Sequence, residues 1–175
     1  MDSANRPAEK ETPAREPCGV EEIFLVLLSG QMRCAIPAAD IRGVLLERPT
    51  AVCPGAGKGV AGVMFYRGTS VTVFDLSWIL TGREAGRERG SRIVVLQEPC
   101  WAALLVDGVL GLAPGSCEGI ETSAGGAGAA NPFVIGRIRW LNHGVGVVDI
   151  RRVLEAERSQ EPAAAGAIAA ALDMS

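Results

Sequence analysis

Chemistry in this chain would have to come from a thin set of side chains: five cysteines, one histidine, two similarly placed aspartates and one glycine-rich loop with a lysine. Cys18, Cys34, Cys53, Cys100 and Cys117 form no C-x-x-C pair and have no neighbouring histidine, so the ligand spacing of a zinc site is missing. Their odd number fits a disulfide framework poorly. Reduced thiols are expected, with Cys34 and Cys100 serving as small apolar residues in or near strands. His143 stands between Asn142 and Gly144, where turn chemistry outweighs catalysis. A cysteine–histidine nucleophile would have to be assembled from distant residues, and no cysteine lies in an electropositive or helix-start context. The loop Pro54-Gly55-Ala56-Gly57-Lys58-Gly59 suggests a phosphate cradle, but that motif needs Ser or Thr after the lysine and a glycine five residues before its Gly-Lys pair. Gly59 and Val52 occupy those places. No catalytic residue, metal or cofactor is expected.

Asp75 and Asp149 could be imagined as paired carboxylates, yet they sit in matching contexts. Val73-Phe74-Asp75-Leu76-Ser77-Trp78-Ile79-Leu80 and Val147-Val148-Asp149-Ile150-Arg151-Arg152-Val153-Leu154 share one pattern of apolar positions around the aspartate. In each, a strand-like run ends at Asp and a short helical run begins, which makes N-capping the expected role of both carboxylates.

The elements that would position these residues are mainly β. Ile23 to Leu28 and Met32 to Ile36 flank Ser29-Gly30; Val60 to Tyr66 and Thr69 to Phe74 flank Arg67-Gly68. Arg92 to Gln97, Trp101 to Val106 and Val109 to Leu112 continue the pattern, and Phe133 to Trp140 with Val145 to Val148 form a last hairpin around Asn142-His143-Gly144. Pro37 to Ile41 suits a single helical turn, and Gly82 is placed to end the helix after Asp75. Strand alternation puts at most alternate members of Met64, Phe65 and Tyr66 on the surface. Short strands occurring twice, each set closed by a small helix, suggest two barrel-like halves, because closure removes exposed edges. Such halves are small, so they should share an apolar interface, for which Trp78, Trp101 and Trp140 are candidates.

Seventeen basic and 20 acidic residues leave a net charge of −3, which provides no field for nucleic-acid backbones. Residues 1–20 read as a disordered tail without the apolar run of a signal peptide, and residues 159–175 as an alanine-rich tail too short to span a bilayer. No membrane insertion is expected and a cytoplasmic location is. Ser116 to Asn131, with Ser123-Ala124-Gly125-Gly126-Ala127-Gly128-Ala129-Ala130, should be a mobile loop.

Taken in order, Ile36-Pro37-Ala38-Ala39-Asp40-Ile41-Arg42, Gly62-Val63-Met64-Phe65-Tyr66-Arg67-Gly68 and Val71-Thr72-Val73-Phe74-Asp75-Leu76 resemble consecutive blocks of the CheW-like coupling domain. Arg92-Ile93-Val94-Val95-Leu96, Leu104-Leu105-Val106-Asp107-Gly108-Val109, Phe133-Val134-Ile135-Gly136 and Val147-Val148-Asp149-Ile150 resemble its second half. The resemblance implies a domain over 21–158 built of two five-stranded SH3-like β-barrels that share a hydrophobic core and carry short capping helices. The first would run roughly to 83 and the second over 92–158, with strand exchange between them allowed.

The implied role is that of a non-catalytic adaptor between the cytoplasmic tip of a methyl-accepting chemoreceptor and the regulatory domain of a CheA-type kinase. Arg67 matches the arginine of the family's Asn-Leu-Arg-Gly turn in the receptor-contacting region, with Gly62, Val63, Tyr66 and Gly68 around it. Phe65-Tyr66 replaces Asn-Leu, and Gly43 stands where many members have glutamate. The alternatives are a regulatory module of another two-component pathway, such as one for surface motility, and a small Cys/His enzyme.

Overall fold

Runs of β-branched and aliphatic residues punctuated by glycine build 11 strands in the computed structural model, which describes residues 22–86, 90–97, 101–119 and 131–159. The expected N-terminal tail, residues 160–175 of the expected C-terminal tail, most of the expected mobile loop, Cys18 and Cys100 lie outside the described residues, while Ser159 belongs to the last helix. The strands are β1 (Glu22–Ser29), β2 (Met32–Pro37), β3 (Ile41–Leu46), β4 (Val60–Tyr66), β5 (Thr69–Asp75), β6 (Arg92–Leu96), β7 (Ala102–Val106), β8 (Gly108–Gly115), β9 (Glu118–Gly119), β10 (Val134–Trp140) and β11 (His143–Val148). Helix α1 (Leu76–Thr81) follows β5, helix α2 (Ile150–Ser159) follows β11, and a 3₁₀ turn spans Ala38–Asp40.

Three hairpins turn on two residues that both have positive φ: Gly30-Gln31, Arg67-Gly68 and Leu141-Asn142. Such turns match the right-handed twist of the strands they join. The last of them corrects the expected turn at Asn142-His143-Gly144. His143 pairs with Trp140 and belongs to β11, so the left-handed positions fall on Leu141 and Asn142.

The strands form a six-stranded sheet in the order β8-β1-β2-β11-β10-β9 and a five-stranded sheet in the order β3-β6-β7-β5-β4. In each, one parallel pair joins otherwise antiparallel ladders: β2 with β11, and β5 with β7. The β1–β2 hairpin thus pairs with strands from the end of the chain, while β6 and β7 pair with β3 and β5.

Neither sheet closes, which overturns the expectation of two five-stranded barrels. In the five-stranded sheet no ladder joins the edges β3 and β4 among the described residues; the chain beyond β3 meets β4 at an isolated bridge, where the N–H and C=O of Ala51 exchange bonds of 2.8 and 2.9 Å with Val63. The next pair along would set Pro49 against Phe65, and proline has no N–H to donate. On the other side the Ala61 carbonyl accepts the Thr50 hydroxyl at 2.9 Å instead. In the six-stranded sheet the edge strands β8 and β9 are joined by Ser116-Cys117, and β9 pairs with β10 alone.

Aromatic side chains bridge the gaps that the backbone leaves. The Tyr66 hydroxyl lies 3.4 Å from where a Cβ on Gly43 of β3 would stand, and the Trp140 ring lies 3.8 Å from the same point on Gly111 of β8. Each aromatic is the last residue before a two-residue turn, nine residues ahead of its capping aspartate, so the internal repeat reaches into the tertiary packing.

Three apolar clusters result. Met64, Tyr66, Val71, Val73, Ile93, Val95, Ala103 and Leu105 fill the curl of the five-stranded sheet. Phe24, Val26, Ala35, Ala113, Ile138, Val145 and Val147 fill that of the six-stranded sheet. Between the sheets lie Leu25, Leu27, Ile36, Phe74, Val94, Leu104 and Val106, closed off by Leu76 and Leu80 of α1 and Ile150, Val153 and Leu154 of α2. Strands β1, β6 and β7 contribute to two clusters each, which explains their unbroken apolar runs. The shared interface is therefore aliphatic. Trp78 and Trp140 are half-buried and Trp101 is exposed, so the expected tryptophan interface is not built.

Candidate functional site

The β4–β5 hairpin carries the residues expected to bind a partner, and it separates them into a tip and a stem. At the tip, Arg67 and Gly68 have φ of 50° and 84°, and both are exposed. A left-handed conformation at a residue with a Cβ costs roughly 1 kcal/mol, so the backbone holds Arg67 out at some expense. Its guanidinium lies over the Tyr66 ring, 5.5 Å from the centroid, an arrangement that stiffens the cation without neutralising it.

Strand alternation sends Met64 and Tyr66 into the core and turns Val63 and Phe65 outward. Phe65 is 73% exposed, the most exposed aromatic among the described residues. Gly62 lies lower on the stem, at a register shift between Val60 and Gly62. It is buried: a Cβ there would stand 2.6 Å from the Ala51 carbonyl and 2.7 Å from the Thr50 hydroxyl, and its φ is +139°. Gly62 thus shapes the strand beneath Val63 rather than presenting a surface. The hairpin brings Tyr66, Arg67 and Gly68 together, with Phe65 beside them.

The two aspartates occupy equivalent places but make different sets of bonds. Asp75 accepts the Trp78 N–H through Oδ1 at 3.0 Å, and through Oδ2 it also accepts the Ala85 N–H at 2.9 Å. Gly82, at φ 71°, ends α1 by donating its N–H to the Trp78 carbonyl at 2.7 Å. Asp149 accepts the N–H groups of Arg151 and Arg152 through Oδ1, with the Arg152 guanidinium 3.4 Å from Oδ2. Asp149→Ala should therefore cost about 1 kcal/mol, the usual scale of a lost N-cap. Urea denaturation checks this, and an unchanged midpoint would argue against capping.

Asp107 is a polar residue that sequence reasoning undervalued. Its Asp-Gly context signals only a turn, yet its carboxylate accepts the Gly30 N–H and the Ser77 hydroxyl on Oδ2 and the Gly86 N–H at 2.8 Å on Oδ1. Its own N–H donates to the Leu28 carbonyl at 3.0 Å, and Ser77 also meets the Ser29 hydroxyl at 2.9 Å.

Among the described residues, the remaining polar groups do not come together as a reaction centre. Cys34 is buried in β2, and burial pushes its thiol up to about 12. The Cys117 thiol is also raised, first by burial and then by the charge of Glu22. Cys34 should resist iodoacetamide at pH 9, where an ordinary thiol is half ionised, and react only after unfolding; alkylation followed by peptide mass spectrometry reads this directly. A shallow cavity of about 300 Å³ opens at the mouth of the six-stranded sheet, lined by Leu28, Arg33, Leu110, Trp140, Leu141 and His143. It pairs the histidine with an arginine and no nucleophile. Among the described residues no group of three or more His, Cys, Asp or Glu could hold a metal ion, and no helix is long and apolar enough to cross a membrane.

The sequence matches the family model of the CheW-like domain over residues 22–158. The fold is similar to the crystal structure of the scaffolding protein TtCheW from Thermoanaerobacter tengcongensis, with a TM-score of 0.62 at 19% identity, covering 74% of this chain and 90% of that one. At that identity the likeness is one of fold. A search of curated protein sequences gave no match.

Proposed function

The chain belongs to the CheW-like domain family, and from that premise we propose that it is a non-catalytic adaptor that couples a chemoreceptor's cytoplasmic tip to the regulatory domain of a CheA-type histidine kinase. The observation that carries the reading is the β4–β5 tip, where an exposed guanidinium on a strained two-residue turn stands beside an exposed phenylalanine. A cation of this kind offers fixed donors to carboxylates and carbonyls of a docking helix, while Phe65 and Val63 supply apolar contact. Tyr66 and Gly68 set the height and direction of the tip, and Gly62 fixes the bend below it.

Tyr66 is buried in the filling of the five-stranded sheet, with its hydroxyl beside Gly43. A partner docking here meets the Arg67 cation and the exposed Phe65 ring, with no carboxylate at position 43. That combination favours a partner face that is both apolar and acidic.

Calorimetric titration of the full chain with the cytoplasmic signalling domain of the native chemoreceptor, and separately with the kinase regulatory domain, tests the proposal. Binding heat is expected in both titrations. Its absence from both would end the adaptor reading.

A further inference from the structure

We propose that Asp107 is the positioning residue that sets the angle between the two sheets. Four separate elements converge on it. Its position follows the end of β7, which belongs to the five-stranded sheet. Its N–H bonds the carbonyl of Leu28 in β1, and its Oδ2 takes the N–H of Gly30 in the β1–β2 turn, both parts of the six-stranded sheet. Oδ2 also takes the hydroxyl of Ser77 in α1, which in turn meets Ser29 of β1, and Oδ1 takes the N–H of Gly86 just after that helix.

The aliphatic cluster between the sheets cannot do this job alone. Burial is non-directional and tolerates a small adjustment of one sheet on the other, whereas hydrogen bonds weaken steeply when misaligned. The bonds around Asp107 all lie at one edge of the shared core and tie its two walls and its helical lid to a single carboxylate. A second carboxylate adds to the grip: Ala85 N–H is held by Asp75 and the adjacent Gly86 N–H by Asp107. The segment leaving α1 is thus held by consecutive amides on two different elements.

The use of such a fixed angle rests on the adaptor reading, since a scaffold that presents two surfaces transmits a rearrangement only if those surfaces are rigidly related. The geometry itself does not depend on any partner. Asp107→Asn is the sharpest variant, because it keeps the shape and turns part of an acceptor that faces only donors into a donor.

Residual dipolar couplings of the full chain measure the sheet angle. In the native protein one alignment tensor should fit the amides of both sheets. In Asp107→Asn the tensors fitted separately to β3–β7 and to β1, β2, β8, β10 and β11 should diverge, and exchange at Gly30 and Gly86 should accelerate by about tenfold or more while the strand ladders stay protected. A common tensor with unchanged exchange would overturn the assignment and leave Asp107 a turn residue. If Asp107→Asn does not fold, Ser77→Ala decides, since it removes one donor and leaves the carboxylate: diverging tensors support the proposal and a common tensor overturns it. No partner is present in the experiment, so its failure is separate from failure of the adaptor reading.

Discussion

Asp75→Ala is expected to destabilise the fold by about 2–4 kcal/mol, well beyond an ordinary lost cap. The residue is only 7% exposed, and its carboxylate satisfies two backbone donors: Trp78 N–H at the start of α1 and Ala85 N–H beyond its end. Losing the first costs the usual cap energy of about 1 kcal/mol. Losing the second strands an amide against the apolar filling of the five-stranded sheet, where Ala85 itself is packed, and an unsatisfied buried donor costs roughly 1–3 kcal/mol. Chemical denaturation of Asp75→Ala beside Asp149→Ala checks the prediction. The informative quantity is the difference, because the two residues share a sequence pattern and differ in the second bond. Equal shifts would mean that the Ala85 contact contributes nothing.

Arg67→Glu is expected to weaken binding of the chemoreceptor signalling domain by about 1–3 kcal/mol, roughly 5- to 150-fold, with the melting temperature nearly unchanged. Reversing the charge at an apolar and acidic contact removes an attraction and adds a repulsion, while the fold loses only an exposed cation–π contact with Tyr66, worth about 0.5–1 kcal/mol. Calorimetry paired with a thermal melt separates the two effects. Parent-like affinity in a parent-like fold would show that Arg67 only decorates its turn. Phe65→Ser makes a useful companion, since Phe65 is exposed and its loss should weaken binding without touching the core.

Local signals carried much of this structure. Two-residue turns containing glycine, β-branched runs and the repeated apolar pattern around Asp75 and Asp149 are written in neighbouring residues, and each corresponds to an element bounded within a few positions of where the sequence places it. Alternation limited the surface members of Met64, Phe65 and Tyr66 to alternate positions, and the packing of Met64 and Tyr66 decided that Phe65 is the one that faces outward. The Leu141-Asn142 turn escaped because propensity favours Asn-His-Gly there, and the ladder between Trp140 and His143 overrode it.

The sequence by itself determined that the chain is mainly β, that it contains the same hairpin-plus-helix unit twice, and which arginine stands at a hairpin tip. All of these are properties of residues close together along the chain, where turn geometry, side-chain period and capping act over a few bonds.

Tertiary structure alone decided how the edges meet and what joins the halves. Closure of a sheet depends on hydrogen-bond partners that are distant in sequence, and in the five-stranded sheet Pro49 and the Thr50–Ala61 bond stop the ladder after one bridge, leaving Tyr66 to span that gap as Trp140 spans the one in the six-stranded sheet. The same distance hid Asp107, whose side-chain partners Gly30, Ser77 and Gly86 lie 77, 30 and 21 residues away. A carboxylate in an Asp-Gly turn looks alike whether it faces water or three donors, because the donors are supplied by packing between sheets and not by its neighbours in the chain.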